Sequence, residues 1–102
     1  MQNPTLTQFQ SFIRDRYHET DSARGPAKTF LWFMEEVGEL ASSLREGTAD
    51  EQAAEFADVL AWLVTIANLA DIDLAEAVTN KYGAGCPGCG KLICTCDDAE
   101  KP

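Results

Sequence analysis

The chain has 102 residues, enough for one domain with one modest core. About 45% of residues are apolar and 25% charged, the balance of an ordinary globular protein. The net charge of −9, from 8 basic and 17 acidic residues, argues against nucleic-acid binding, which needs Lys and Arg to displace counterions.

The opening "MQNPTLTQFQ" lacks the basic start and apolar stretch of a secretion signal. No apolar run reaches the roughly 20 residues of a membrane span. The expected compartment is the cytoplasm, with no membrane partner. Residues 5–20 then place Leu6, Phe9, Phe12, Ile13 and Tyr17 at spacings of three and four, one apolar helical stripe. Thr5 or Thr7 caps its start, after Pro4. "DSARGP", residues 21–26, reads as a loop broken at Gly25-Pro26.

A second helix is predicted over 27–45, with Phe30, Phe33, Met34, Val37, Leu40, Ala41 and Leu44 as its core stripe. Gly47 stops it. Thr48 or Asp50 caps a third helix over 51–70, whose stripe is Ala53, Phe56, Leu60, Leu63, Val64 and Ala67. Asp71 or Asp73 opens a short fourth helix ending at Tyr82. No strand signal of any length appears. The expectation is an all-α four-helix bundle over residues 1–82, followed by a Cys-rich tail over 83–102. The third helix is apolar round most of its circumference, Trp62 and Ile66 included. It needs more cover than three short partners supply, so a homodimer or larger assembly is expected.

Eight carboxylates but one base, Arg45, lie between Glu35 and Asp58. At about 100° per residue, Glu36 and Glu39 share one flank of the second helix with Trp32. Glu55 and Asp58 share a flank of the third with Trp62. A short turn makes the two helices antiparallel neighbours, so the strips can face one another. Four convergent carboxylates, or five with Glu35, repel unless neutralised. Mg²⁺ suits them: it is hard, takes oxygen ligands and is shared with substrate phosphates. A solvated helix flank is the ordinary reading of any one glutamate, but not of ExxE and ExxD each with its tryptophan. The two indoles mark a pocket or a dimer seam. A di-iron bundle would need Glu-x-x-His on two helices. The single histidine, His18, lies in neither strip.

"EEVGELA" followed by "EFADVLAWLV" resembles the EExxE…ExxD signature of MazG-like nucleoside triphosphate pyrophosphohydrolases, over roughly residues 5–82. The resemblance implies Mg²⁺-dependent hydrolysis of an NTP or dNTP to the monophosphate and pyrophosphate, in nucleotide-pool house-cleaning, with Mn²⁺ as a substitute ion. It implies metal ligation by Glu36, Glu39, Glu55 and Asp58, catalysis by Glu35 and Glu36, and a dimer or a tetramer built from dimers. Glu35 is a further ligand or the base that orients water. Lys28 and Lys81, with Arg24 behind them, are the phosphate candidates; Trp32 and Trp62 are the candidates to stack on the base. "ETDSARGPAK" is the stretch expected to help choose that base. The competing reading is a non-catalytic helical module that docks a partner through its tail. The five acids favour hydrolysis, because a module that only binds has no need of a water-orienting glutamate.

All four cysteines fall in the last 17 residues. A disulfide framework for a secreted fold would spread them. "CPGCGKLICTC" resembles a zinc knuckle, with Cys86, Cys89, Cys94 and Cys96 as a Zn²⁺ tetrad of structural type. Its tight CxC either strains a one-metal site or leaves one position to a neighbouring subunit. The ending "DDAEKP" reads as disordered.

Overall fold

Thr5 starts the first helix with a reciprocal cap: its hydroxyl accepts from the Gln8 N–H, and the Gln8 side chain accepts from the Thr5 N–H. In the computed structural model, which describes residues 1–97, α1 spans Leu6–Arg24, α2 Pro26–Glu46, α3 Ala49–Leu69 and α4 Leu74–Tyr82. No strand occurs among the described residues. The all-α architecture and the four helices match the sequence pattern. Thr48 and Asp73 are the side chains that cap α3 and α4. Apart from Asp97, the ending expected to be disordered lies outside the described residues.

The expected loop over 21–26 is not there. α1 runs on to Arg24, and the break is Gly25 alone, whose φ of +85° suits a residue without Cβ. Asp21 and Arg24, one helical turn apart, form an ion pair, and Arg24 also donates to the Thr29 hydroxyl on α2. Those contacts, one within α1 and one across the Gly25 break, accompany the helix through a stretch that reads as a turn. Pro26 then begins α2, where its missing N–H costs nothing.

α2 and α3 are antiparallel. Gln52 donates to the Ser43 carbonyl near the turn, Glu39 meets Glu55 further along, and Trp32 stacks on Trp62 beyond them. Each step up one helix is a step down the other. α1 crosses α3 and also touches α4, which leaves α3 at a bend of 96°.

The α1–α3 seam is largely polar. Gln10 donates to the Asn68 side chain and to the Ile72 carbonyl, and accepts from the Leu74 N–H; Arg14 also donates to Asn68. This buried network ties the start of α1 to the α3–α4 turn. The described apolar residues that are buried are only Ile13, Val64 and Ala67. Of the expected core stripes, Val64 and Ala67 are covered, but Phe30, Met34, Leu44, Phe56, Leu60 and Leu63 stand 42–55% exposed. Here the expectation is corrected for the single chain: α1 covers the Val64–Asn68 side of α3 and α2 packs along another side, and among the described residues these six stay exposed. The radius of gyration, 15.9 Å, exceeds the about 13 Å of a compact chain this long. Among the described residues no single helix is long and apolar enough to cross a membrane.

Candidate active site

The antiparallel pairing of α2 and α3 brings three acids together. One carboxylate oxygen each from Glu36, Glu39 and Glu55 lies within 4.8 Å of the others. Asp58, one turn along from Glu55, is near enough for its charge to act on both Glu36 and Glu55. Glu36 Oε2 and Glu55 Oε2 are shielded from solvent and have no hydrogen-bond partner. Desolvation first, then the charges of Glu39, Asp58 and Glu55, hold the Glu36 carboxyl up at about 7. Desolvation also raises Glu55, followed by the charges of Glu39 and Asp58. Buried carboxylate oxygens without donors are costly. A cation among them removes that cost, and an all-oxygen set of this kind fits a hard divalent ion.

Glu35 sits outside this group. It is exposed and lines the open groove that runs beside Glu39 and Glu55 toward Glu46 and Glu51. The two tryptophans do meet, with ring centroids 6.3 Å apart and planes 20° from parallel. The Arg24 guanidinium lies 4.8 Å from the Trp62 ring centre. Trp62 is therefore already engaged by Trp32 and Arg24, and half of Trp32 remains exposed. Lys28 is exposed in the first turn of α2, and Lys81 lies over Tyr82 on α4. Neither lines the acidic groove. His18 is exposed and lies in hydrogen-bond contact with Ser22.

Beside the acids, α1 and α3 enclose a cleft of about 400 Å³, with Asp58 at its wall together with Phe12, Tyr17, Asp21, Arg24 and Trp62. Sequence reasoning did not single out Asp21, which lies within "ETDSARGPAK", the stretch expected to help choose the base. It sits in the stretch read as a loop, and only the extension of α1 turns it inward. Its one sequence signal is Arg24 three residues on, a spacing that pairs charges on a helix.

The tail forms a second centre. All four sulfurs, from a single chain, lie within 4.8 Å of one another. Cys86 Sγ is 3.6 Å from Cys94 Sγ and 3.9 Å from Cys96 Sγ. A tetrahedral Zn²⁺ with bonds of about 2.3 Å sets sulfurs about 3.8 Å apart. No position is left to a neighbouring subunit. Backbone N–H groups point at the sulfurs: those of Thr95 and Lys91 hold the Cys89 thiol down at about 6, and those of Cys89 and Gly88 lower Cys86. Burial and the neighbouring thiols push Cys96 up to about 12. Gly85 permits this knuckle: its φ is +116°, and a Cβ there would sit 2.8 Å from the Lys91 carbonyl oxygen.

Residues 24–89 match the family model of the MazG nucleotide pyrophosphohydrolase domain, from the end of α1 to the first cysteine pair. A search of curated proteins returns no match.

Proposed function

Because this chain belongs to the MazG nucleotide pyrophosphohydrolase family, we propose that it hydrolyses a nucleoside triphosphate to the monophosphate and pyrophosphate with Mg²⁺ as cofactor. The observation that carries the proposal is the pair of shielded, unpartnered oxygens on Glu36 and Glu55 inside a converging carboxylate set. Glu36, Glu39, Glu55 and Asp58 hold the cation, and Mn²⁺ can replace Mg²⁺ on the same oxygens. When bound, the ion neutralises phosphate charge and makes water more acidic.

Glu35, beside but outside the ligand set, orients the attacking water and takes its proton. Oxygen of that water bonds to the α-phosphorus. The bond from the α-phosphorus to the bridging oxygen breaks, and pyrophosphate leaves with the electron pair. Lys28 and Lys81, exposed but outside the acidic groove, are the cations proposed to meet it. The acidic face makes the ion necessary, since free triphosphate would be repelled. Pyrophosphate release from each NTP and dNTP, for wild type and Glu36→Gln, tests this reading. Wild-type turnover of at least one triphosphate is expected, lost in the variant. An inert wild type that still binds Mg²⁺ would sink it.

The tail, residues 83–102, we assign to structural Zn²⁺. Four thiolates close the coordination shell, so the metal has no open position for chemistry. Metal analysis after exhaustive dialysis should find one zinc per chain in wild type and less than about half an equivalent in Cys89→Ser. Wild type below that level would rule out the assignment. The exposed apolar side chains Phe30, Met34, Leu44, Phe56, Leu60 and Leu63 support association with a second copy, as a dimer or as a tetramer built from dimers.

A further inference from the structure

We propose that the cysteine knuckle is a redox-sensitive metal site: a hydroperoxide joins Cys86 and Cys94 in a disulfide, and the site then releases its zinc. The inference rests on the reading of the tail as a four-thiolate zinc site and goes beyond the structural role given to it.

The four cysteines are not equivalent. Cys94 is exposed, while Cys86, Cys89 and Cys96 are half-buried. The segment leading into Cys94 stands out into solvent, with Leu92 91% and Ile93 83% exposed. Beside it lies an open recess of about 590 Å³, walled by Tyr82, Pro87 and Leu92 together with Cys86 and Cys94. Cys89 and Cys96 do not line it. A small oxidant arriving from solvent therefore meets Cys94 and Cys86 before the other two sulfurs.

Geometry pairs the same two residues. Their sulfurs are 3.6 Å apart. A disulfide of about 2.0 Å needs them to close by roughly 1.5 Å, a side-chain movement. Hydrogen bonds that involve no sulfur keep the two segments together. The Cys86 N–H donates to the Lys91 carbonyl, and the Gly90 N–H to the Cys86 carbonyl. The Lys91 ammonium donates to the hydroxyl of Thr95, the neighbour of Cys94. Gly85 and Gly90, with φ of +116° and +74°, make the turns this path requires. Proximity of Cys86 and Cys94 therefore does not depend on the metal. Cys94 and Cys96 are poorer partners for each other, because a bond across one intervening residue strains the disulfide dihedral.

The chemistry balances on sulfur. A zinc-bound cysteine is a thiolate, the nucleophilic form. The Cys94 sulfur attacks one oxygen of the hydroperoxide. The O–O bond breaks, and the departing hydroxide or alkoxide takes a proton from solvent. Cys94 is now a sulfenic acid. The Cys86 thiolate attacks that sulfur, the S–O bond breaks, and the hydroxide that leaves is protonated to water. Two thiolates have given up two electrons, and the peroxide has accepted them. Only Cys89 and Cys96 remain as ligands, and a site whose affinity comes from four thiolates does not retain zinc with two. The closed coordination shell is no obstacle, since the reaction takes place at sulfur and not at the metal.

The test uses the full reduced chain, loaded with zinc and freed of excess, and hydrogen peroxide as the probe. About two equivalents of peroxide should release about one zinc per chain to a chromogenic indicator. Intact mass should fall by about 2 Da, the loss of one hydrogen from each of two thiols. Differential alkylation and peptide mapping should find Cys86 linked to Cys94, with Cys89 and Cys96 open to the alkylating reagent. Reductant and fresh zinc should restore the metal content.

Zinc retained at about tenfold excess of peroxide overturns the proposal. So does release with any other pairing, or release with Cys94 carried on to the sulfinic acid and no disulfide formed. These outcomes leave the zinc reading of the tail in place. A reduced chain that takes up no zinc at all sinks that reading and the proposal together.

Discussion

Without divalent cation at pH 8, Glu36→Gln is expected to melt higher than wild type while turning over triphosphate on the order of 100-fold more slowly or worse. The two effects have one cause. The folded chain holds the Glu36 carboxyl up at about 7, against a usual 4.5, through desolvation and the neighbouring acids. Between those values the folded state binds more protons than the unfolded state. Stability of the metal-free wild type therefore falls as pH rises from about 4.5 to about 7, then levels off as far as this group is concerned. The amide cannot ionise, so the variant lacks that loss. Its advantage should be absent at pH 4 and full above pH 7. Mg²⁺ should raise the wild-type melting temperature at pH 8 and do little for the variant, because ligand stabilisation grows with the logarithm of affinity once the ion exceeds Kd. Thermal melts at four pH values, with and without Mg²⁺, measure all of this. A variant that melts no higher than wild type at pH 8, or equal Mg²⁺ shifts in both, would count against the cluster as a cation site.

Phe56→Glu is expected to turn an associated protein into a monomer and to lower its melting temperature. Phe56 is 55% exposed in the single chain, in the company of Leu60 and Leu63 on the same helix. Covering the exposed half of such a side chain contributes about 1.5 kcal/mol. A symmetric interface loses it twice, about 3 kcal/mol, which is on the order of 100-fold in Kd. The introduced carboxylate, unpaired in an apolar seam, weakens association further. Sedimentation of wild type and variant across a concentration series reads the change. A wild type that sediments as a monomer at all concentrations would remove the assembly from the proposed function.

Both predictions start from residues whose type is plain in the sequence and whose setting is not. ExxE, ExxD and the short turn between them are enough to anticipate facing acid strips, because helical spacing and a tight connection leave little freedom. The same holds for the cysteines, where CPGC and CTC place four thiols on a few residues of chain. Helix ends are likewise legible to within two candidates, since caps act within one turn, and the structure selects Thr5 over Thr7, Thr48 over Asp50 and Asp73 over Asp71. Asp21 is different. Read locally, "DSARGP" is a turn; its helical state depends on Arg24 reaching Thr29 across the junction. The Gln10–Asn68 network joins residues 58 positions apart, and two exchangeable amides give no sign of each other along the chain. The core stripes were readable as apolar, but not as covered or bare.

What the sequence determined by itself was local: four helices, their caps, a doubled acidic strip and a four-thiol knuckle, each set by interactions within a turn or two. The tertiary structure alone decided which face of α3 α1 would cover and that Asp21 would be buried with one oxygen unused. It also decided that Trp62 would be held by Trp32 and Arg24. Those outcomes depend on contacts between distant segments, where burial and charge are settled by which surfaces meet and not by the order of residues along any one helix.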